Sequence, residues 1–181
     1  MIKMDLKEKR ISSEIIYKGK IINLRVDDVE LPNGKPAKRE VVEYAGAVAV
    51  VPINEKNEVL MVRQYRYSVD KLLLEVPAGK IEEGEDPQAS AVRELAEETG
   101  YRAREMKLLF SFYSTPGFTN EKMHVYLARG LTYKGVNPDE DEFIEVSPIP
   151  LQTALGMIDS GEICDAKSII GVLAAKREMD K

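Results

Sequence analysis

Residues 79–101, GKIEEGEDPQASAVRELAEETGY, set Glu85, Glu94, Glu97, Glu98 and Arg93 among Gly79, Gly84 and Gly100 at intervals that one loop and one helix can gather. At about 100° per residue, Glu94, Glu97 and Glu98 share one arc of a helix, because spacings of three and four stack side chains. Three carboxylates this close repel one another unless a cation sits among them. Hard cations such as Mg²⁺ bind through a few carboxylates and complete their shell with substrate phosphates. Such ions neutralise phosphate charge and acidify a water, and in pairs they clamp the attacking and leaving oxygens. Glu85, just ahead of the helix, can add a fourth oxygen ligand. A merely solvated acidic helix face would need neither the glycines nor Arg93 at these intervals.

The positioning elements can be read outward from this stretch. Asp86 is placed to cap a helix whose first residue is Pro87, and Gly100 to close it about four turns later. Ala91, Val92, Leu95, Ala96 and Thr99 form the arc expected to pack on a core. Alternation over 11–31, the turn signal Pro32-Asn33-Gly34 and a second alternating run at 37–45 predict an N-terminal antiparallel β-meander. The apolar runs 46–53 and 59–66, separated by Asn54–Glu58, predict a buried hairpin. Strands are expected at 105–114, 122–129 and 143–147. Helices are expected at 150–160 and 165–178, with Pro150 and Asp165 as start signals.

Composition narrows the function classes. A chain of 181 residues accommodates one well-buried domain plus an extension, divided here as 1–45 and 46–181. The net charge of −5 and the lack of a basic cluster argue against a nucleic-acid surface. Cys164 is the only cysteine, so an internal disulfide is excluded and a free core thiol in a reducing compartment is expected. No apolar leader or membrane-length run occurs, so the expectation is a cytoplasmic protein with no membrane partner.

The 79–101 stretch resembles the Nudix hydrolase signature, Gly-x5-Glu-x7-Arg-Glu-U-x-Glu-Glu-x-Gly-U with U a bulky aliphatic residue. Gly79, Glu85, Arg93, Glu94, Leu95, Glu97, Glu98 and Gly100 match, and Tyr101 departs at the last U. The resemblance implies an α+β Nudix fold, a mixed β-sheet sandwiched between helices and carrying the N-terminal antiparallel extension. It implies Glu94 and Glu98 as the main metal ligands, with Glu97 close by and the Ala78 carbonyl as a backbone ligand. The metal is expected to be Mg²⁺, with Mn²⁺ as the alternative, at two or more ions per site. Arg93 is expected to orient a glutamate rather than touch substrate.

Outside the signature the chain resembles the ADP-ribose pyrophosphatase subfamily. The residues that carry this are Pro116, sixteen positions after Gly100, within Ser114-Thr115-Pro116-Gly117-Phe118-Thr119-Asn120-Glu121, together with Arg39-Glu40, Arg63-Gln64-Tyr65-Arg66, Glu75-Val76-Pro77-Ala78-Gly79 and Asp165-Ala166-Lys167. The resemblance implies Arg39 and Arg66 near adenine and phosphates, since guanidinium both forks onto phosphate and stacks on rings. It implies Glu121 as the acceptor for the terminal ribose, with Pro116 and Gly117 in the substrate loop. Where the subfamily often places an aromatic from the partner subunit against adenine, this chain has Lys20 or Ile21. For the general base Glu140 aligns best, Glu142 is the alternative, and some relatives use a signature glutamate, which would be Glu97. His124 reads as a packed or surface histidine.

The expected activity is metal-dependent hydrolysis of ADP-ribose, a nucleoside diphosphate sugar, to AMP and ribose 5-phosphate by a homodimer. Alternatives are a broader nucleoside-diphosphate-sugar hydrolase, one acting on NADH or an oxidised nucleotide, and a non-catalytic ADP-ribose sensor.

Overall fold

The computed structural model describes residues 5–135 and 143–181. Its contacts divide the chain into two units, Met1–Gly46 with Tyr113–Glu121, and Ala47–Phe112 with Lys122–Lys181.

In the first unit β1 (Lys9–Lys18), β2 (Asn23–Glu30) and β3 (Pro36–Glu43) form an antiparallel sheet in that order. The Pro32-Asn33-Gly34 signal becomes the β2–β3 turn, closed by Gly34 N–H donating to the Leu31 carbonyl. A turn the alternation concealed joins β1 to β2, where Gly19 N–H donates to the Ile22 carbonyl. All of β1 is exposed, Ile11, Ile15, Ile16 and Tyr17 included. Register shifts between Arg10 and Ser12 and between Ile15 and Tyr17 break its alternation. The segment 113–121 joins this unit through the end of β3. Val42 N–H donates to the Phe118 carbonyl, and Tyr44 N–H donates to Asn120 Oδ1.

The second unit holds two sheets. One is mixed, in the order β7 (Ala78–Lys80), β4 (Ala47–Pro52), β9 (Lys122–Tyr133) and β8 (Tyr101–Tyr113), with β4 and β9 parallel. The other is antiparallel, β10 (Glu145–Pro150), β5 (Glu58–Arg66) and β6 (Lys71–Glu75). Every residue of β4 is buried, because a helix covers each face. On one face Val48, Val50, Tyr126 and Ala128 cluster with Ala91 and Leu95 of α1 (Pro87–Thr99). On the other, α3 (Ala166–Met179) comes so close that a Cβ added at Gly171 would stand 2.9 Å from Val51 Cγ2. Between β10 and α3 lies α2 (Leu151–Ser160). This is the α+β layering that the resemblance implied.

Two expectations fail for local reasons. The runs 46–53 and 59–66 are not a hairpin: β4 and β5 belong to different sheets and share only the bridge Ile53–Val59. Near-continuous apolar runs mark strands buried on both faces, and a polar turn serves equally well for changing sheets. The packed stripe of α1 is also rotated from the expected arc. Its buried residues are Ser90, Ala91, Glu94, Leu95, Glu98 and Thr99, while Val92 is 39% exposed and lines a surface cleft with Arg102 and Lys134. Residues 71–75, 78–80 and the short turn 67–69 carry structure that the alternation did not reveal. Among the described residues no helix is long and apolar enough to cross a membrane.

The caps of α1 follow the sequence directly. Asp86 accepts from Gln88 and Ala89 N–H at 2.9 and 3.1 Å, Pro87 starts the helix, and Gly100 ends it at φ 75°. Asp86→Ala leaves two N-terminal donors without their side-chain partner and should lower stability by about 1 kcal/mol. In a chain of this size that corresponds to a Tm lower by about 2–4 °C, readable by calorimetry. An unchanged Tm would mean that solvent replaces the cap without loss.

Candidate active site

The carboxylates of α1 are drawn inward by the strand end that faces them. Glu98 accepts from Ala78 N–H at 3.0 Å. The Glu94 carboxyl fills the space where a Cβ at residue 79 would have to stand, so any larger residue there would displace it. Glu94 and Glu98 are therefore buried, although they lie on the arc read as facing away from the core. The cluster stands at the start of β7, where the chain leaves Pro77, whose carbonyl accepts from Val50 N–H of the central strand β4.

Arg93 binds the remaining charge. Its Nε and Nη2 fork onto Glu85 at 3.0 Å each, and Nη1 donates to Glu94 at 2.7 Å and Glu97 at 2.9 Å. Nη2 also reaches the Lys80 carbonyl at 3.1 Å. One guanidinium thus ties the loop before the helix to two of its three carboxylates, the bidentate geometry that arginine and not lysine provides. Hydrogen bonds from Arg93 hold the Glu85 carboxyl down at about 2, and the same bond to Glu85 leads the rise in the arginine's own pKa.

Among the described residues no group of three or more Asp, Glu, His or Cys side chains is arranged as a ready metal cage. The donor chemistry nonetheless suits a hard cation. Glu94 and Glu98 are oxygen donors one helical turn apart beside the Ala78 backbone, and a Mg²⁺ ion characteristically needs only one or two protein carboxylates.

A second charged cluster lies at the end of β6. Glu75, 1% exposed, accepts from Arg66 Nε at 2.9 Å and Nη2 at 2.6 Å, and from Lys167 Nζ at 2.5 Å. Lys167 also donates to Asp165 at 2.9 Å. Burial pushes the Glu75 carboxyl up, but the Arg66 hydrogen bond and the Lys167 charge outweigh it and hold the group below its ordinary value. The hydrogen bond to Glu75 raises Arg66, and the charge of Glu98 adds to that rise. The sequence alone assigns Glu75 and Lys167 no role, although both fall within the motifs that resemble the subfamily. The signal was a lone acid after the apolar run 72–74, which predicts a paired carboxylate without naming its partner.

The other expected residues belong to the first unit or lie elsewhere. Arg39 on β3 is exposed and forks onto Glu8 at 2.9 and 2.6 Å. Glu121 lines a depression with Ile22, Val42, Tyr44, Thr115 and Phe118, and Pro116 and Gly117 occupy the exposed turn of the same segment. Lys20 and Ile21 are exposed beside Ile22. Glu140 and Glu142 lie outside the described residues. His124 is half-buried on β9, its Nδ1 2.9 Å from Ser111 Oγ, and burial lowers its pKa. Cys164 corrects an expectation. It is exposed rather than in the core, because the loop between α2 and α3 buries Ile163 instead.

Comparison with known proteins agrees with this layout. A family model described as the NUDIX domain matches residues 43–169, and one described as the nucleoside diphosphate sugar hydrolase N-terminal domain matches residues 8–42. The chain is 48% identical over 167 residues to a methanol dehydrogenase activator of Bacillus methanolicus, covering 91% of this chain and 90% of that protein. It is 46% identical over 169 residues to an ADP-ribose pyrophosphatase of Bacillus subtilis (strain 168), covering 92% and 91%. A crystal structure described as an ADP compounds hydrolase superposes with a TM-score of 0.86 at 22% identity, covering 96% of this chain and 95% of that one, and shares the fold.

The Arg93–Glu85 fork makes stability depend on pH in one direction. A carboxyl held at about 2 in the folded chain, against roughly 4.3 when unfolded, stabilises the fold above the unfolded value. That contribution disappears as pH falls from about 4.3 towards 2. Thermal melts in a metal chelator should show Glu85→Gln losing less stability than the parent over this interval. Parallel curves would show that the fork contributes nothing there.

Proposed function

The chain belongs to the NUDIX family, and from that premise we propose that it is a divalent-metal-dependent hydrolase of ADP-ribose, releasing AMP and ribose 5-phosphate. The observation that carries this reading is the buried pair Glu94 and Glu98 against the Ala78–Gly79 turn, in a chain 46% identical to an ADP-ribose pyrophosphatase along most of its length. Glu94, Glu98 and the Ala78 carbonyl would hold the cation, for which Mg²⁺ is the natural choice and Mn²⁺ the substitute, in two or more positions. When bound, it would neutralise diphosphate charge and lower the pKa of a water. Arg93 keeps Glu85, Glu94 and Glu97 aligned against their mutual repulsion. Arg66, beside Glu98 in charge, would bind a phosphate, and Arg39 and Glu121 would take the adenine and terminal-ribose ends. Glu140 would accept the proton of the attacking water, with Glu142 or Glu97 as the other candidates.

Residues 1–45 would serve a homodimer, an arrangement supported by the exposed apolar residues of β1, and the enzyme would act in the cytoplasm. A second reading, that the hydrolytic chain also activates a methanol dehydrogenase, is favoured by the 48% identity to the Bacillus methanolicus activator. Its test is the dehydrogenase rate with and without this chain.

Two measurements test the main reading. Steady-state rates on a panel of nucleoside diphosphate derivatives with Mg²⁺ should rank ADP-ribose first, and Glu98→Gln should abolish most of that turnover, about 10³-fold or more, because an amide is a poor ligand for a hard cation. A different preferred substrate would move the assignment within the family, and near-normal turnover in the variant would remove Glu98 from the metal site. For the base, Glu140→Gln should slow hydrolysis by roughly 10²–10⁴-fold with ADP-ribose affinity retained, and Glu142→Gln much less. A large loss in Glu97→Gln alongside a normal Glu140→Gln enzyme would return the base to α1.

A further inference from the structure

The Glu75 cluster is asymmetric in a way that bears on substrate binding. The Glu75 side chain is 2% exposed and shares its charge between two cations, Lys167 at 14% and Arg66 at 37% exposed. The lysine is the interior partner and the arginine the one that reaches solvent. Arg66 is gripped side-on, through Nε and Nη2, which leaves the Nη1 edge of its five-donor fork directed away from Glu75. A buried carboxylate needs a counter-charge. With Arg66 alone in that role, most of its field would be spent on Glu75. Lys167 supplies a second donor to Glu75 and is itself paired with Asp165, so the four charges balance and Glu75 is fixed from its interior side behind the arginine's open edge.

The same turn of α3 also fixes the backbone beside the cluster. Ser168 Oγ accepts from Val76 N–H at 2.8 Å, and Asp165 caps the helix through Ser168 N–H at 3.2 Å while accepting from Lys167. Consecutive residues of α3, Lys167 and Ser168, thus hold consecutive residues of the chain, Glu75 and Val76, at the entrance to the Pro77-Ala78-Gly79 turn.

We propose that Lys167 is a positioning residue that acts through Glu75 to aim Arg66 at a substrate phosphate, without itself touching substrate. This rests on the hydrolase reading, because it assigns Arg66 to a phosphate of the substrate.

The test is a double-mutant cycle on the full chain with Mg²⁺, measuring KM and kcat for ADP-ribose in the parent, Lys167→Met, Arg66→Ala and the double variant. Lys167→Met should raise KM about 10-fold with kcat within about threefold, the pattern of lost binding rather than lost chemistry. In the Arg66→Ala background the same change should have almost no further effect, since its route to the substrate is gone. Lys167→Arg should restore KM to within about threefold of the parent. Independent, multiplying effects on KM, a loss confined to kcat, or a normal KM in either single variant would overturn the proposal. Should Lys167→Met fail to fold, the charge-neutral pair Glu75→Gln with Lys167→Met replaces it, with the same rise in KM expected and a normal KM overturning it. A parent enzyme inactive on ADP-ribose would sink the substrate assignment alone. The cycle, run on whichever nucleoside diphosphate derivative the parent cleaves, would still decide the role of Lys167.

Discussion

Mutual repulsion among carboxylates held on one short stretch of helix is the constraint that organises this protein. At separations of about 5–6 Å and an effective dielectric near 20, each pair of like charges is unfavourable by roughly 3 kcal/mol. Arg93 is the described chain's main answer, forking onto Glu85 and reaching Glu94 and Glu97 with its other arm. The remaining carboxylate, Glu98, takes the Ala78 backbone donor. This division leaves Glu94 and Glu98 beside the Ala78–Gly79 turn, where a hard cation would add the missing charge. The fold around them is built to keep that turn still, through Pro77 on β4, Ser168 on Val76 and Glu94 in the space left by Gly79.

The Glu75 cluster repeats the same physics one strand away with its charges in balance. There a single buried carboxylate organises two cations, Lys167 on the inside with Asp165 as its second partner and Arg66 on the outside. The two clusters flank the short link Val76–Pro77–Ala78. The acidic cluster lies on the second half of α1, and Lys167 on the first turn of α3 beside its cap Asp165. Both helices pack on β4 and β9, and every residue of β4 is buried between them.

The first unit follows a different logic. Its sheet buries little, β1 not at all, and the exposed isoleucines of that strand sit on a structure too small to bury much surface by itself. Arg39, resting on Glu8, and Glu121, in the depression with Tyr44 and Phe118, belong to this unit.

What the sequence by itself determined was local. Asp86, Pro87 and Gly100 set the limits of α1 to the residue, and the spacing of Glu94, Glu97 and Glu98 put them on one arc, because caps and helical periodicity depend on near neighbours alone. The Pro32-Asn33-Gly34 turn and the starts of α2 and α3 were legible for the same reason. Tertiary structure decided everything that needed a second element. It turned α1 so that Glu94 and Glu98 were buried and Val92 was not, since the approach of Gly79 outweighed the apolar arc. It split β4 and β5 between two sheets, a choice that a polar turn cannot encode. It also gave Glu75 its two cations, one from β5 and one from α3, the latter 92 residues away in sequence. A charge in an apolar run announces that it must be paired, but only the folded chain, by bringing distant residues together, selects the partner.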